Sequence, residues 1–246
     1  TNGSLNPNQI LPQNSSYDID LTPSMGSSNT SLIDNGPAYS FGILLNGIEV
    51  DPVAAEPWPH TKPLTSSHNW EWNLEATMVD IGLDCNNAHV QPTGAYHYHG
   101  MPERLIAKID NGEPMTLVGR ASDGYPVYAR YGYTDANDSS SDIISLQPSW
   151  RLKNEPDVGR PDTLTALAGG PGQGQNNLNI PIPMGAFTQD FEYIEGLGDL
   201  DECNGRIGVT PEFPEGIYYY MVTDDFPFFS RCLKGDFTGG GGGGGG

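Results

Sequence analysis

Tyrosine and histidine alternate in the segment Tyr96-His97-Tyr98-His99. This alternation restricts the conformation of the chain more than any other sequence feature does. Successive side chains of a β-strand point to opposite faces of the sheet. An extended segment therefore places both histidines on one face, about 7 Å apart along the strand, and both tyrosines on the other face. The sequence predicts a β-strand here, with two imidazole rings placed to share one metal ion.

The residues before this strand predict a β-hairpin that adds a third histidine. Residues 91–94 read Gln-Pro-Thr-Gly, which is typical of a turn. A hairpin centred on Thr93 places His89 directly across from His97. We therefore predict a metal site formed by His89, His97 and His99, because neutral imidazole is a common ligand of Zn and Cu. The alternative is a structural role, since a half-buried histidine with a hydrogen-bond partner needs no metal.

The same site would be catalytic if further groups lay beside it. His60 and His68 are candidates for a fourth ligand, and Glu103 and Asp123 are candidates for a general base or for a carboxylate that orients a ligand. An open fourth position would hold a metal-bound water for hydrolysis or hydration. A metal-dependent hydrolase or hydratase is therefore an alternative function, although the sequence carries no H-E-x-x-H or G-x-S-x-G motif.

The charge of the chain argues against two classes of partner. Its 246 residues include 31 acidic and 11 basic residues, which gives a formal net charge of −20. Phosphate backbones and anionic lipids repel so acidic a chain, and we expect no nucleic-acid partner. The sequence contains no apolar run of the roughly 18 residues that a membrane span needs, so we also expect no membrane insertion.

The acidic residues also suggest a second kind of metal site. Asp199, Asp201 and Glu202 end a dense acidic stretch and are candidate calcium ligands, because Ca²⁺ prefers oxygen ligands. Their spacing matches no EF-hand, and a solvated acidic loop is the alternative. A calcium-binding adhesive or matrix protein is therefore another candidate function.

Several features favour a secreted protein, either extracellular or on the cell surface. The chain begins at Thr1 with a polar segment, as a secreted protein does after removal of its signal peptide. Asn-x-Ser/Thr sequons at Asn2, Asn14, Asn29 and Asn137 are candidate glycosylation sites. The expected partners are other copies of the chain or other extracellular proteins, because an extended arm can add a strand to a neighbouring sheet.

Three cysteines leave one without an intramolecular partner. Cys203 and Cys232 flank a hydrophobic strand and are the predicted disulfide pair, which leaves Cys85 free. The alternative pair is Cys85 with Cys203, and its support comes from an internal repeat.

That repeat joins two segments of similar sequence. Cys85-Asn86 precedes the Tyr-His-Tyr-His run, and Cys203-Asn204 precedes a Tyr-Tyr-Tyr-Met run at residues 218–221. The second copy has four more residues between its cysteine and its run than the first copy has. The second copy replaces His97 and His99 by tyrosine and methionine. The match indicates either an ancient duplication or a coincidence of short segments.

The remaining patterns predict an all-β fold, a sandwich or barrel-like arrangement of mostly antiparallel strands with one or two short helices and long loops. Asn46-Gly47 predicts a tight hairpin turn. Residues 102–109 predict a short helix. Alternating or apolar runs predict strands at residues 41–50, 70–74, 115–119, 125–131 and 217–222.

Composition divides the chain into three parts. Residues 1–35 are polar and rich in Asn, Ser and Pro, and we expect an extended arm that adds little to the core. Residues 36–238 form the predicted β domain. Residues 239–246 are all glycine, a polyglycine tail or a run of unidentified residues, and carry no chemical information.

The segment from Gly82 to Gly100, which contains the Tyr-His-Tyr-His run, resembles the signature of the YHYH-domain proteins. Residues 123–128, 200–206 and 222–227 resemble later motifs of that family, so the resemblance spans about residues 41–234. It implies an extracellular β-rich domain, because the family occurs largely in proteins expected to be secreted by bacteria and aquatic eukaryotes. It implies no particular reaction. With the composition, it favours a structural, assembly-forming or metal-binding role outside the cell.

Overall fold

The structure is a computed structural model that describes residues 6–33, 37–55, 57–58, 69–79, 81–164 and 180–237. The fold is all-β, with one α-helix and one 3₁₀ turn (Thr188–Asp190) among these residues. In chain order the elements are β1 (Met25–Ser31), β2 (Gly42–Leu44), β3 (Glu49–Val50), β4 (Pro57–Trp58), β5 (Asn69–Asn73), β6 (Ala88–Val90), β7 (Tyr96–Tyr98), α1 (Glu103–Ile109), β8 (Thr116–Ala121), β9 (Pro126–Ala129), β10 (Tyr131–Tyr133), β11 (Ile143–Ser145), β12 (Trp150–Leu152), β13 (Thr163–Leu164), β14 (Ile180–Pro181), β15 (Phe191–Tyr193), β16 (Gly205–Gly208), β17 (Ile217–Val222) and β18 (Cys232–Gly235).

The all-β prediction is confirmed, and so are the hairpin at residues 41–50, the helix at 102–109 and the strand at 217–222. The barrel-like alternative is wrong, because the sheets are mixed and do not close. Within the described part of the chain, no helix is long and apolar enough to cross a membrane.

An eight-stranded sheet forms the centre of the protein, in the order β16-β17-β9-β8-β2-β3-β7-β6. The four strands on either side of its midline are arranged alike. From the midline outward, each half has an antiparallel pair, then a parallel pair, then an antiparallel outer hairpin. The halves meet where β2 and β8 run antiparallel, with Ile43 opposite Arg120. This arrangement has an approximate two-fold axis at that pair, as an internal duplication would produce.

One side-chain contact recurs at the same place in both halves. Asn46, in the turn between β2 and β3, donates to the hydroxyl of Tyr98 at 3.0 Å. Asp123, in the turn between β8 and β9, accepts from the hydroxyl of Tyr220 at 2.5 Å. In both turns the next residue is a glycine with positive φ, a conformation that the absence of a Cβ permits. Each inner turn is therefore tied to a tyrosine of the neighbouring outer hairpin.

The outer hairpins, β6–β7 and β16–β17, also begin alike. Tyr96 donates to the carboxylate of Asp84 at 2.7 Å, and Tyr218 donates to that of Asp201 at 3.1 Å. The repeat seen in the sequence is therefore a structural repeat as well.

The structure shifts the alignment of that repeat by one residue. Asn87 and Asn204 occupy equivalent positions and share a left-handed conformation with φ of 54°. Cys203 is then equivalent to Asn86 and not to Cys85. The two cysteines that the sequence aligned are not equivalent, which removes the support for a bond between them.

Cys203 and Cys232 form a disulfide, with Cα atoms 5.2 Å apart, and Cys85 is free and exposed. The predicted pairing is therefore present. The bond joins the start of β16 to the start of β18. It fixes the two-stranded β1–β18 sheet to one outer hairpin.

The N-terminal segment packs against its own domain more closely than the sequence suggests. Asn6 and Asn8 donate to the carbonyl of Val90, and the backbone N–H of Leu11 donates to that of Gly94. β1 pairs with β18, and Leu32 is fully buried in the main core. The expectation that residues 1–35 add little to the core is wrong for the last part of that segment, which contains β1 and Leu32. The distant strand β18 supplies the pairing that the local sequence lacks.

Alternate side chains of the outer hairpins pack on opposite faces of the sheet. Tyr98, Tyr218 and Tyr220 lie in the main core. Tyr219 and Met221 face the other way, into a smaller cluster with Tyr128 and four further apolar residues: Met115, Tyr133, Leu146 and Leu200. In the first half, the side that corresponds to this smaller cluster carries His97 and His99.

We predict that opening the disulfide destabilises the fold. Its sequence separation of 29 residues corresponds to about 3.5 kcal/mol in the loop-entropy model. Cys203→Ser combined with Cys232→Ser should lower the free energy of unfolding by about that amount in urea titrations. Cys85→Ser is the matched control and should change it little; an equal loss in that variant would contradict the pairing.

Candidate metal centre

The β6–β7 hairpin brings three histidines together. His89 lies opposite His97 in the antiparallel register, as the sequence predicts. Gly94 closes the turn with φ of +88° and donates to the carbonyl of Gln91 at 2.8 Å. His99 follows the end of β7, so its side chain returns to the face of His97.

The three imidazole rings meet through their Nε2 atoms. The Nε2 of His99 lies 2.9 Å from that of His97 and 3.1 Å from that of His89. The side chains are buried, with residue exposures of 7% for His89, 4% for His97 and 3% for His99. Nitrogen ligands of a tetrahedral zinc ion are about 3.3 Å apart, given Zn–N bonds of about 2.0–2.1 Å. The ligand atoms of the three histidines all lie within 4.8 Å of one another, so adjustment of the side chains would let one metal ion bind between the rings.

Hydrogen bonding favours the tautomer of each histidine in which Nε2 carries a lone pair directed at the centre of the cluster. The Nδ1 of His89 lies 3.3 Å from the carbonyl of Ile81, an acceptor, so Nδ1 carries the proton and Nε2 presents its lone pair. The Nδ1 atoms of His97 and His99 are buried and make no hydrogen bond of standard geometry with a described residue, although the backbone carbonyls of Ala95 and Asp51 favour a proton on these rings. One shared proton joins only two of the Nε2 atoms. A cation satisfies all three.

Burial keeps these rings neutral. Desolvation, followed by repulsion from His89, lowers the pKa of His97 to about 3. Desolvation, then the neighbouring imidazoles and Arg231, lowers the pKa of His99 well below 6.5. Desolvation also lowers the pKa of His89, against smaller effects of the Ile81 carbonyl and Asp84. All three are therefore in the form that binds metals at neutral pH.

A buried ion pair lies near this cluster and was not visible in the sequence. Arg231 binds Glu75 at 2.8 Å and also donates to the carbonyls of Pro52 and Pro227. Its positive charge opposes protonation of His99. The partners are 156 residues apart, so no local pattern reveals the pair.

Glu103 and Asp123, the candidate bases, both have partners other than the three histidines. Glu103 begins α1 and forms an exposed ion pair with Arg130 at 2.7 Å. Asp123 accepts hydrogen bonds from Tyr220 and from the backbone of Gly235, on the tyrosine side of the sheet. Each carboxylate therefore serves a structural contact, and its suggested role as a general base or as a group that orients an imidazole stays a prediction.

The candidate calcium ligands do not converge either. Asp199 accepts from the backbone of Gln147, and Asp201 accepts from two backbone N–H groups and Tyr218. Glu202 accepts from Asn29. In the part of the chain that the structure describes, the three histidines are the one group of metal-ligating side chains close enough to share an ion. Protein donors already contact these carboxylates, so the structure adds no support to the calcium prediction.

Three of the four candidate glycosylation sites lie in the described part of the chain. Asn14, Asn29 and Asn137 are exposed, as glycosylation requires. His60 and His68, the candidate fourth ligands, lie outside the described residues, as do Asn2 and the polyglycine tail.

We predict that the metal-free protein loses stability as the pH falls below 6.5. The folded-state pKa values of the three histidines lie below the unfolded value of 6.5, so the unfolded chain takes up protons first. Each histidine that stays neutral in the folded chain should lower the free energy of unfolding by at most about 1.4 kcal/mol per pH unit in that range. The measurement is urea unfolding in the presence of a chelator between pH 7 and about pH 5. Few carboxyl groups titrate in that pH range.

His99→Gln is the comparison variant for this measurement, since it removes one titrating ring. Its stability should fall less steeply with pH than that of the natural chain. Equal slopes in the two proteins would show that groups other than the histidines cause the loss.

Comparison with known proteins identifies the family but adds no activity. No curated protein and no solved structure matches the chain. The family model described as YHYH protein matches residues 16–235, which includes the histidine hairpin and its repeat. This protein therefore belongs to the YHYH family.

Proposed function

We propose that this protein binds one zinc or copper ion through the Nε2 atoms of His89, His97 and His99. The observation that carries the proposal is the convergence of these three nitrogens at 2.9 and 3.1 Å inside a buried site. A buried polar group without a partner costs free energy, and one cation would satisfy all three lone pairs. Imidazole donors without thiolates suit Zn and Cu(II) rather than Ca or Mg.

The repeat within the sheet supports a structural role for the ion. At the positions of His89 and His97, the second outer hairpin has Arg206 and Tyr219. The Arg206 Nε donates to the Tyr219 hydroxyl at 2.7 Å, and Met221 packs in the place of His99. A cross-strand bond therefore occupies the site where the first hairpin would hold a metal. By this equivalence, the ion ties β6 to β7 at the edge of the sheet.

The hydrolase or hydratase alternative has less support. A catalytic zinc needs a position open to substrate and usually a carboxylate nearby. The three histidines are buried, and the two carboxylates that the sequence suggested are engaged by Arg130 and Tyr220. We therefore place metal binding and fold stabilisation ahead of catalysis.

We further propose that the protein is secreted and works outside the cell, alone or assembled with copies of itself. The disulfide and the exposed sequon asparagines support this setting, because disulfides persist in oxidising compartments. Mass spectrometry of the protein from its natural source would test it. Glycans at Asn14, Asn29 or Asn137 are the expected result, and a wholly reduced, unmodified chain would contradict secretion.

Metal titration tests the central proposal. Protein stripped with a chelator, in a Cys85→Ser background that removes the exposed thiol, should bind one equivalent of Zn²⁺ or Cu²⁺ in isothermal titration calorimetry. It should also melt at a higher temperature with the metal, since an ion that binds only the folded state stabilises it. His89→Ala, His97→Ala and His99→Ala should each weaken binding about a hundredfold, as expected if each ligand contributes about 3 kcal/mol.

His60→Ala and His68→Ala are the matched controls, and each should weaken binding less than loss of any of the three ligands. An unchanged affinity in the His97→Ala or His99→Ala variant, with that variant folded by circular dichroism, would overturn the three-histidine site. Metal-dependent turnover of an ester or of carbon dioxide by the stripped and reloaded protein would favour the catalytic alternative.

A further inference from the structure

A cleft of about 550 Å³ lies between the segment around β12 and the loop that follows β17. None of its lining residues belongs to the histidine hairpin. Its walls include four aromatic side chains, Trp150, Phe191, Phe226 and Phe228, and its rim includes two exposed aspartates. A cleft of this volume suits a small molecule.

The aromatic rings of the cleft are arranged around Phe226 in different planes. Phe191 stacks on Phe226 with centroids 3.8 Å apart, whereas Trp150 and Phe228 lie at 75° and 81° to it. The face of an aromatic ring attracts a cation. One protein cation already makes such a contact here, because the guanidinium of Arg231 lies 5.3 Å from the centroid of the Phe226 ring.

The charges at the rim also favour a cation. Arg151 is neutralised by Glu192 at 2.9 Å. Asp224 and Glu103 both pair with Arg130, so these three side chains together carry a net negative charge. Asp225 is exposed and makes no ion pair with any described residue. The rim is therefore negative, as is the whole chain at −20.

The loop holds Phe228 in an unusual backbone conformation. Its φ is +60°, which a bulky residue rarely adopts. The N–H of Phe228 donates to the carbonyl of Asp225 at 3.0 Å, and its carbonyl accepts from Thr223 at 2.9 Å. These bonds fix the ring at the cleft wall. Rare conformations of this kind persist where ligands are held.

We propose that this cleft binds a small organic ammonium ion. The positive group lies against the rings of Trp150 and Phe228, beside the carboxylate of Asp225. Aromatic faces together with an unpaired carboxylate are the combination that recognises alkylammonium groups. The proposal is independent of the metal site, because the two sites share no residues.

Choline is the probe, and 3,3-dimethyl-1-butanol is its neutral isostere. Calorimetry at low salt should show saturable binding of choline at one site, with clearly weaker binding of the alcohol. Asp225→Asn should weaken choline binding by up to about fivefold, the effect of about 1 kcal/mol at most that an exposed ion pair contributes. Asp18→Asn removes an exposed carboxylate elsewhere and should leave binding unchanged.

Phe228→Leu provides a second variant that keeps a large apolar residue and removes the ring. It should weaken choline binding, while circular dichroism confirms that the variant is folded. Equal binding of the alcohol and choline would overturn the proposal, and so would equal effects of Asp18→Asn and Asp225→Asn. Absence of saturable binding at millimolar choline, or binding of glucose in its place, would also overturn it.

Discussion

The rest of the structure depends on the alternation of side chains in the two outer hairpins. In each hairpin, one face presents tyrosines to the main core, and these tyrosines also bond to the inner turn and to the aspartate that begins the hairpin. Those contacts fix the register of β7 and β17. Once the register is fixed, the strand period fixes which residues share the opposite face. His97 and His99 converge because Tyr96 and Tyr98 are held.

The opposite face is consequently free to differ between the halves. In the second half Tyr219 and Met221 pack in an apolar cluster, and Arg206 donates a hydrogen bond to the Tyr219 hydroxyl at its edge. In the first half, three imidazoles take the equivalent positions. Apolar packing gains stability from burial directly, whereas buried imidazoles lose free energy unless their lone pairs are satisfied. The two halves therefore fill equivalent positions with different chemistry, and under the proposed metal binding only the first half would gain stability from a cation.

Local patterns were sufficient to predict the elements that short-range physics controls. The hairpin that contains His89, His97 and His99 follows from a turn and a two-residue period, and the strand at residues 217–222 follows from its run of large apolar side chains. The sheet order, the pairing of β1 with β18 and the Arg231–Glu75 ion pair all join residues far apart in sequence. No turn or period specifies such contacts. The partners of Glu103 and Asp123 could not be predicted for the same reason, since Arg130 and Tyr220 lie far from them in sequence.

The ion pair of Arg231 and Glu75 adds a constraint on the histidine site that sequence similarity does not reveal. A guanidinium in a buried site needs its carboxylate, and Arg231 also holds carbonyls from two separate loops. One of those loops includes Asp51, whose backbone faces His99. The charge that disfavours protonation of His99 is thus kept in position by contacts that also fix the surrounding backbone. Loss of the guanidinium would disturb both the placement of the rings and their protonation, whereas loss of one imidazole would leave this framework in place.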